Sequence, residues 1–302
     1  MAGVIALGEC MGELSLSRPG TADIGYAGDT FNTAVYLRRL GLEVAYASAV
    51  GRGDPFSDGV MSALAEEGIG RDLMVEAEGR LPGIYAIQRD ENGERSFFFW
   101  RSEAPARDYF SLVDHEQLGA ALDAADLIVV SAISLAVIGD AGRRTLLDLL
   151  AGAVQAGAAV AFDTNYRVKL WPGPDVGRAA IELVLPHCRY LSLSTEDVTA
   201  FGGGDAEAMA RTWAARGVEV VLRREDRRID VLVGADVESF APEPAVHVVD
   251  TTGAGDSFNA GYLKARMRGR STAEAVAAGR ALASVVVQHP GAIIPRRAMP
   301  KA

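Results

Sequence analysis

A chain of 302 residues that is 49% hydrophobic has ample apolar material for a sizeable core, in one large domain or two. Its formal net charge of -10 argues against a duplex-DNA or anionic-membrane surface, and leaves room for a local basic pocket that captures an acidic metabolite. Cys10 and Cys188 are far apart and lack CxxC spacing, so neither a disulfide framework nor a zinc site is expected, and a reducing cytoplasm is the natural setting. The first residues carry no basic n-region and reach Glu9 after a short apolar run, unlike a signal peptide. No segment approaches the ~20 apolar residues that a membrane span requires.

Residues 3–8 read as a buried strand whose end delivers the polar group Glu9 to Glu13, the usual place for ligand-facing residues in an open α/β sheet. Residues 12–25 are short, mixed and punctuated by Gly and Pro, which suits a peripheral hairpin. Ala27 to Ala34 opens a helix to about Leu40, with Asp29 or Thr30 as cap and Gly41 as stop; Asn32 falls in its first turn. A strand at 44–50 and a helix at 57–67, closed by Gly68, establish a β-α-β rhythm. Residues 83–88 and 95–101 then flank Asp90-Glu91-Asn92-Gly93, a hairpin pattern around an Asn-Gly turn. Its aromatic residues fit sheet packing or a dimer contact, whereas Tyr85 and the fork of Arg101 fit a carboxylate.

The α/β pattern resumes with a strand at 127–131, a helix at about 139–156 and a strand at 158–162. Asp163, Asn165 and Arg167 follow directly and become crevice candidates. A helix at about 175–185 leads to a strand at 190–193, then to Ser194-Thr195-Glu196-Asp197, whose acids suit helix capping better than a water-mediated metal. Residues 219–222 and 229–233 read as strands joined by the charged link 223–228.

Residues 245–249 read as a strand and 257–268 as a helix, which puts Asp250-Thr251-Thr252-Gly253-Ala254-Gly255-Asp256 at a strand-to-helix turn. Gly253 and Gly255 let backbone N–H groups approach a ligand where a helix has unpaired donors, a place suited to phosphate. Asp256 would repel a resting phosphate, yet fits a base beside a phosphoryl group in transit; the plain alternative is a first-turn Asp complementing the helix dipole. An Ala-rich helix at 271–288 and a loop at 291–295 complete the chain. No GxGxxG follows the first strand, which argues against an NAD-dependent enzyme.

Taken together the chain resembles the ribokinase-like (PfkB) carbohydrate kinases, and within them the 2-keto-3-deoxygluconate kinases. The stretches that carry the resemblance are GECMGEL, AGDTFNTAVYLRRLG, DPFSDG, RLPGIYAI, GERSFFFWR, FDTNYRVKLW, VVDTTGAGDSFNAGYL and GAIIPRRAMP, which span nearly the whole sequence. The resemblance implies a single α/β kinase domain over residues 1–302, a three-layer sandwich around a mainly parallel sheet. A small β-sheet lid from about 12–26 and 80–102 would also join a homo-oligomer. It implies ATP- and Mg²⁺-dependent phosphorylation of 2-keto-3-deoxygluconate at the 6-hydroxyl, with no dedicated metal ligand assigned. Asp256 then matches the catalytic base, and Gly253, Ala254 and Gly255 the anion hole. Gly28, Asp29 and Asn32 match sugar-hydroxyl contacts, Tyr85, Arg101 and Arg167 hold the keto-acid end, and Asn165 joins the substrate site. Ser194, Arg223 and Gln288, with Gly253 and Gly255, face the nucleotide.

Several positions depart from the pattern. Ala27, Phe99 and Thr164 replace a usual Gly, Tyr and Asn, and Ser194-x-x-Asp197 stands for Asn-x-x-Glu. Glu225 stands where relatives tend to carry a glycine near the ATP phosphates. Glu225 and Asp197 leave a non-catalytic sugar-binding sensor open, and a kinase for another sugar acid or a ketohexose is the alternative within the enzyme class.

Overall fold

The computed structural model describes residues 3–18, 20–89, 95–244 and 246–300. Its strands are β1 Val4–Leu7, β2 Met11–Arg18, β3 Thr21–Ala27, β4 Val44–Gly51, β5 Met74–Ala77, β6 Ile84–Arg89, β7 Arg95–Trp100, β8 Leu127–Ser131, β9 Ala159–Asp163, β10 Tyr190–Ser194, β11 Glu219–Arg223, β12 Ile229–Val233 and β13 Asp236–Phe240. The helices are α1 Asp29–Arg39, α2 Pro55–Glu67, α3 Tyr109–Leu112, α4 His115–Asp123, α5 Ala132–Ala156, α6 Pro174–Val184, α7 Thr195–Ala200, α8 Ala206–Ala214, α9 Ala254–Met267 and α10 Thr272–Val286.

Nine strands form one sheet in the order β13-β12-β11-β10-β9-β8-β1-β4-β5, and four form a second in the order β3-β2-β6-β7. The large sheet is parallel from β5 to β11 and antiparallel at β12 and β13. Alternation along each central strand sends side chains to two cores. Ile5, Leu7, Ile128 and Val130 pack with the buried faces of α4, α5 and α6. Val4, Ala6, Leu127 and Val129 pack with those of α1, α2, α9 and α10. The resulting helix-sheet-helix sandwich is the α/β architecture expected, and each fully buried Leu or Ile in it contributes about 1.5–3 kcal/mol.

Local chemistry explains the helix ends. Asp54 accepts from the N–H groups of Phe56 and Ser57 ahead of Pro55, and Gly68 closes α2 in the left-handed region at φ 68. Ser271 and Glu274 form a capping box at α10. Some expectations need correction. Gly139, at φ 64, breaks α5 into two segments: the second is the helix expected from about 139, and the first, from Ala132, was not anticipated. Residues 246–249 are not a strand: Val249 and Asp250 donate to the Val287 carbonyl, and Val246, Val248 and Val249 are exposed. The Asn92-Gly93 turn lies outside the described residues.

Strand β1 pairs with both β4 and β8, so the chain winds outward in two directions from it. Crevices form at such a reversal, beyond the carboxyl ends of the strands. Asp163, Ser194 and Arg223 end β9, β10 and β11, and Glu9 lies just past β1. The small sheet leaves and rejoins the large one on either side of α1, α2, β4 and β5.

Candidate active site

The first turn of α9 is the centre of the site. Gly253 caps the helix at φ 75, and a Cβ there would lie 2.5 Å from the Ala292 carbonyl oxygen, so geometry and space both demand glycine. The N–H of Ala254 bonds the Thr251 carbonyl at 3.2 Å, which withdraws it from the expected anion hole. Among the described residues the N–H groups of Gly253, Gly255 and Asp256 have no backbone acceptor and are the donors left at the helix start. Buried Asp250 fixes the turn from behind, accepting from Thr252 N at 2.7 Å and Gly291 N at 3.0 Å. Tyr36 of α1 donates to the Ala292 carbonyl at 2.6 Å and accepts from Ile294 N at 3.2 Å, which pins the adjoining loop.

Three carboxylates meet there, each held by an asparagine amide. Asn32 donates to Asp256 at 2.8 Å, Asn165 to Asp29 at 3.0 Å, and Asn259 to Asp163 at 2.8 Å. Burial pushes Asp256 up from 3.8 to about 8, with the Asp29 charge adding to the rise. The Asn32 bond opposes that shift, Asp163 reinforces it and Arg223 opposes it. Burial likewise raises Asp163, against the pull of Arg223. Arg223 joins Asp163 to the helix start: its Nη2 lies 3.3 Å from Asp163 Oδ1, and its Nη1 would meet a Cβ on Gly255 at 2.7 Å. A buried carboxyl poised near neutrality, beside helix-start donors and a guanidinium, can take a proton from a hydroxyl while the donors meet growing phosphoryl charge.

The small sheet brings a second cluster to the far side. Gly28 lets α1 approach the strand-exit loop, since a Cβ would sit 2.1 Å from the Glu9 carbonyl oxygen. Arg101 forms an ion pair with Glu9 through Nη2 and Oε2, with the side chains 10% and 1% exposed. Its guanidinium lies 6.0 Å from the Phe99 ring, and Phe99 stacks on Tyr85 with centroids 5.6 Å apart. Tyr85 donates its hydroxyl to Glu13. Tyr85 and Arg101, both expected to fit a carboxylate, each engage a protein carboxylate here.

The sequence profile of pfkB family carbohydrate kinases matches residues 1–299. The chain belongs to this family. It is 39% identical to the 2-dehydro-3-deoxygluconokinase of Dickeya dadantii (strain 3937), over 98% of this chain and 98% of that protein. It is 37% identical to the enzyme of the same name from Escherichia coli (strain K12), with the same coverage. Among solved structures it resembles the fructokinase with bound ATP from Xylella fastidiosa, at a TM-score of 0.83 and 22% identity, covering 99% of this chain and 96% of that one.

Other expected positions sort by what they touch in this PfkB kinase. The cap of α1 is Gly28, without a side-chain bond; Asp29 accepts from its neighbour Thr30 N at 2.8 Å and faces Asn165. Ser194 caps α7 by accepting from Asp197 N at 3.0 Å. Asp197 is buried, and its oxygens accept from Thr164 Oγ1 at 2.6 Å and Tyr166 N at 2.8 Å, so it supports the strand exits instead of capping. The Thr164 departure thus answers the Asp197 departure. Arg224 turns away to Asp230 and Glu207, and Glu225 stands exposed on the β11–β12 turn. Gln288 is exposed and donates to its own helix at the Ser284 carbonyl, 2.7 Å away. Arg167 is exposed at the end of the 163–167 segment. Sequence reasoning missed Glu9 as a partner for Arg101, and Asn259. The latter stands three residues after Asp256 on α9, a spacing that shares a helix face.

Proposed function

We propose that this carbohydrate kinase uses ATP to phosphorylate the 6-hydroxyl of 2-keto-3-deoxy-D-gluconate, giving 2-keto-3-deoxy-6-phosphogluconate and ADP. The observation that carries the reading is Asp256 in the first turn of α9, held by Asn32 at 2.8 Å and pushed up to about 8 by burial. The relatives named 2-dehydro-3-deoxygluconokinase at 39% and 37% identity support the choice of sugar acid.

In this reading Gly28, Asp29, Asn32 and Asn165 orient the sugar hydroxyls so that O6 faces Asp256. Tyr85, Arg101 and Arg167 hold the keto-acid end. Asp256 takes the O6 proton as the new O–P bond forms and the bond to the ADP oxygen breaks. The N–H groups of Gly255 and Asp256, with Arg223, stabilise charge on the transferring phosphoryl group. Ser194 and Gln288 border the nucleotide.

Among the described residues no group of three or more His, Cys, Asp or Glu could hold a metal ion. Mg²⁺ would be carried on nucleotide phosphates with one protein carboxylate and water, the usual habit of this ion, and Asp163, at the end of β9 beside Arg223, is the carboxylate at hand. When bound, Mg²⁺ neutralises phosphate charge. The small sheet acts as a lid over the single kinase domain and as the contact of a homo-oligomer, a role supported by exposed Ile24, Phe97, Phe98, Phe99 and Trp100. No helix of the described residues is long and apolar enough to cross a membrane, and both cysteines are free, in keeping with a cytoplasmic enzyme.

The test is a panel of sugar acids and neutral hexoses with ATP, followed by ADP release. The gluconate-derived keto acid should give the highest kcat/KM, above its galactonate-derived epimer. ADP release with no sugar, or only with a neutral ketohexose, would refute the assignment.

A further inference from the structure

The most unusual group outside the phosphoryl-transfer end is Glu9. Its carboxylate has left water almost entirely, at 1% exposure, and burial raises its pKa against the opposing pull of Arg101. It is built in on several sides. A Cβ on Gly83 would meet Oε1 at 2.6 Å, and one on Gly28 would strike the Glu9 carbonyl. Neither carboxylate oxygen accepts a well-formed hydrogen bond among the described residues, and Oε2 is engaged by Arg101 as an ion pair. A buried ion pair of this kind contributes little net stability over an apolar substitute, which directs attention to what it positions. Glu9 follows β1 of the large sheet, whereas Arg101 follows β7 of the small one. The pair therefore fastens the last residue of the lid ribbon to the core beside α1.

We propose that Glu9 is a positioning residue for the substrate's carboxylate: it grips one edge of the Arg101 guanidinium and so aims the remaining N–H donors into the site. A guanidinium has five N–H donors in a fixed planar fork, so one edge can rest on a protein carboxylate while another receives a ligand carboxylate. Glu9 touches no reacting atom and acts through Arg101. Substrate binding is selected twice: Glu9 supplies the orientation, and its negative charge repels a carboxylate that arrives away from the arginine. The inference rests on the reading of Arg101 as the arginine that receives the sugar acid.

Steady-state kinetics on Glu9→Ala, Glu9→Gln, Arg101→Ala and Glu9→Ala/Arg101→Ala, with the keto acid and with ATP, test it. Arg101→Ala should raise KM for the keto acid about 30-fold or more, the usual scale for truncating one partner of a buried charge pair. Glu9→Ala should raise it about tenfold, with kcat and the KM for ATP within about twofold, and should add nothing in the Arg101→Ala background. Glu9→Gln keeps one acceptor oxygen and the side-chain shape; it decides the matter if the alanine variant fails to fold, and its smaller rise in KM should also vanish without Arg101. An unchanged KM in the soluble Glu9 variants beside a raised KM in Arg101→Ala overturns the positioning role and leaves the sugar-acid reading intact. An Arg101→Ala variant with normal KM overturns that reading and this inference with it. A Glu9 effect that persists at full size without Arg101, or that falls on kcat and the ATP KM, also overturns it.

Discussion

Replacing Asp256 by Asn should make the protein inactive and, at neutral pH, more stable. In the folded chain the carboxyl is pushed from 3.8 to about 8, burial being the first cause and the Asp29 charge the second. Between those values the folded state keeps the proton and the unfolded state has lost it. The stabilising proton is fully effective below about pH 3.8 and its contribution is gone once the pH passes about 8. Within the window the wild-type protein loses stability with each pH unit through this one group, by about 3 kcal/mol between pH 5 and pH 7. Asn carries no such proton, while the other titrating groups are common to both proteins. Urea unfolding of both at pH 5, 6 and 7 should therefore show the stability of the wild type falling relative to the variant as pH rises. Parallel pH dependences would refute the account of a buried, proton-retaining Asp256. The same group sets the kinetics: kcat/KM of the wild type should rise about tenfold per pH unit below pH 8, as the base form becomes available.

Two further substitutions probe the nucleotide side. Gly255→Ala places a Cβ 2.7 Å from Arg223 Nη1, the movable end of a long side chain, so the fold should survive while Arg223 is pushed off the helix start. A fall in kcat of roughly 100-fold, the scale of one lost transition-state donor, with an unchanged melting temperature is the expected result. Glu225→Gly removes an exposed charge from the β11–β12 turn, and the KM for ATP should change by less than about twofold.

The sequence was most informative where local rules and tertiary packing agree. The continuous apolar runs Val4 to Leu7 and Leu127 to Ser131, and the Gly68 end of α2, needed only run length and capping chemistry, whereas the start of α2 at Pro55, capped by Asp54, lies two residues before the expected Ser57. The glycines of the DTTGAGD turn carried the same message as their geometry. Edge strands were less legible: β5 has only four residues, and β13 is exposed along most of its length, so neither shows a clear apolar face. Helix α4 did leave a trace, with Asp114 as cap and Leu118 and Leu122 four residues apart on the buried side. Within the run expected as a strand, Val246, Val248 and Val249 are apolar without being buried, and the Val249 N–H bonds the Val287 carbonyl in place of a neighbouring strand. In the candidate site, the pairings between side chains were not readable. Nothing in the order of residues says that Arg101 meets Glu9, that Asp197 is absorbed by Thr164 and Tyr166, or that Arg223 and not Arg224 faces Gly255.

The three acid-amide pairs have a kinetic meaning as well. Asn32 and Asp256 are 224 residues apart in the chain, Asn165 and Asp29 136, and Asn259 and Asp163 96. Contacts of such long range close large loops and form late in folding. A refolding chain would regain helix signal and much of its compactness before any of the three pairs is complete. Catalysis should be the last property to return, and its recovery curve a direct clock for the final assembly of the sheet.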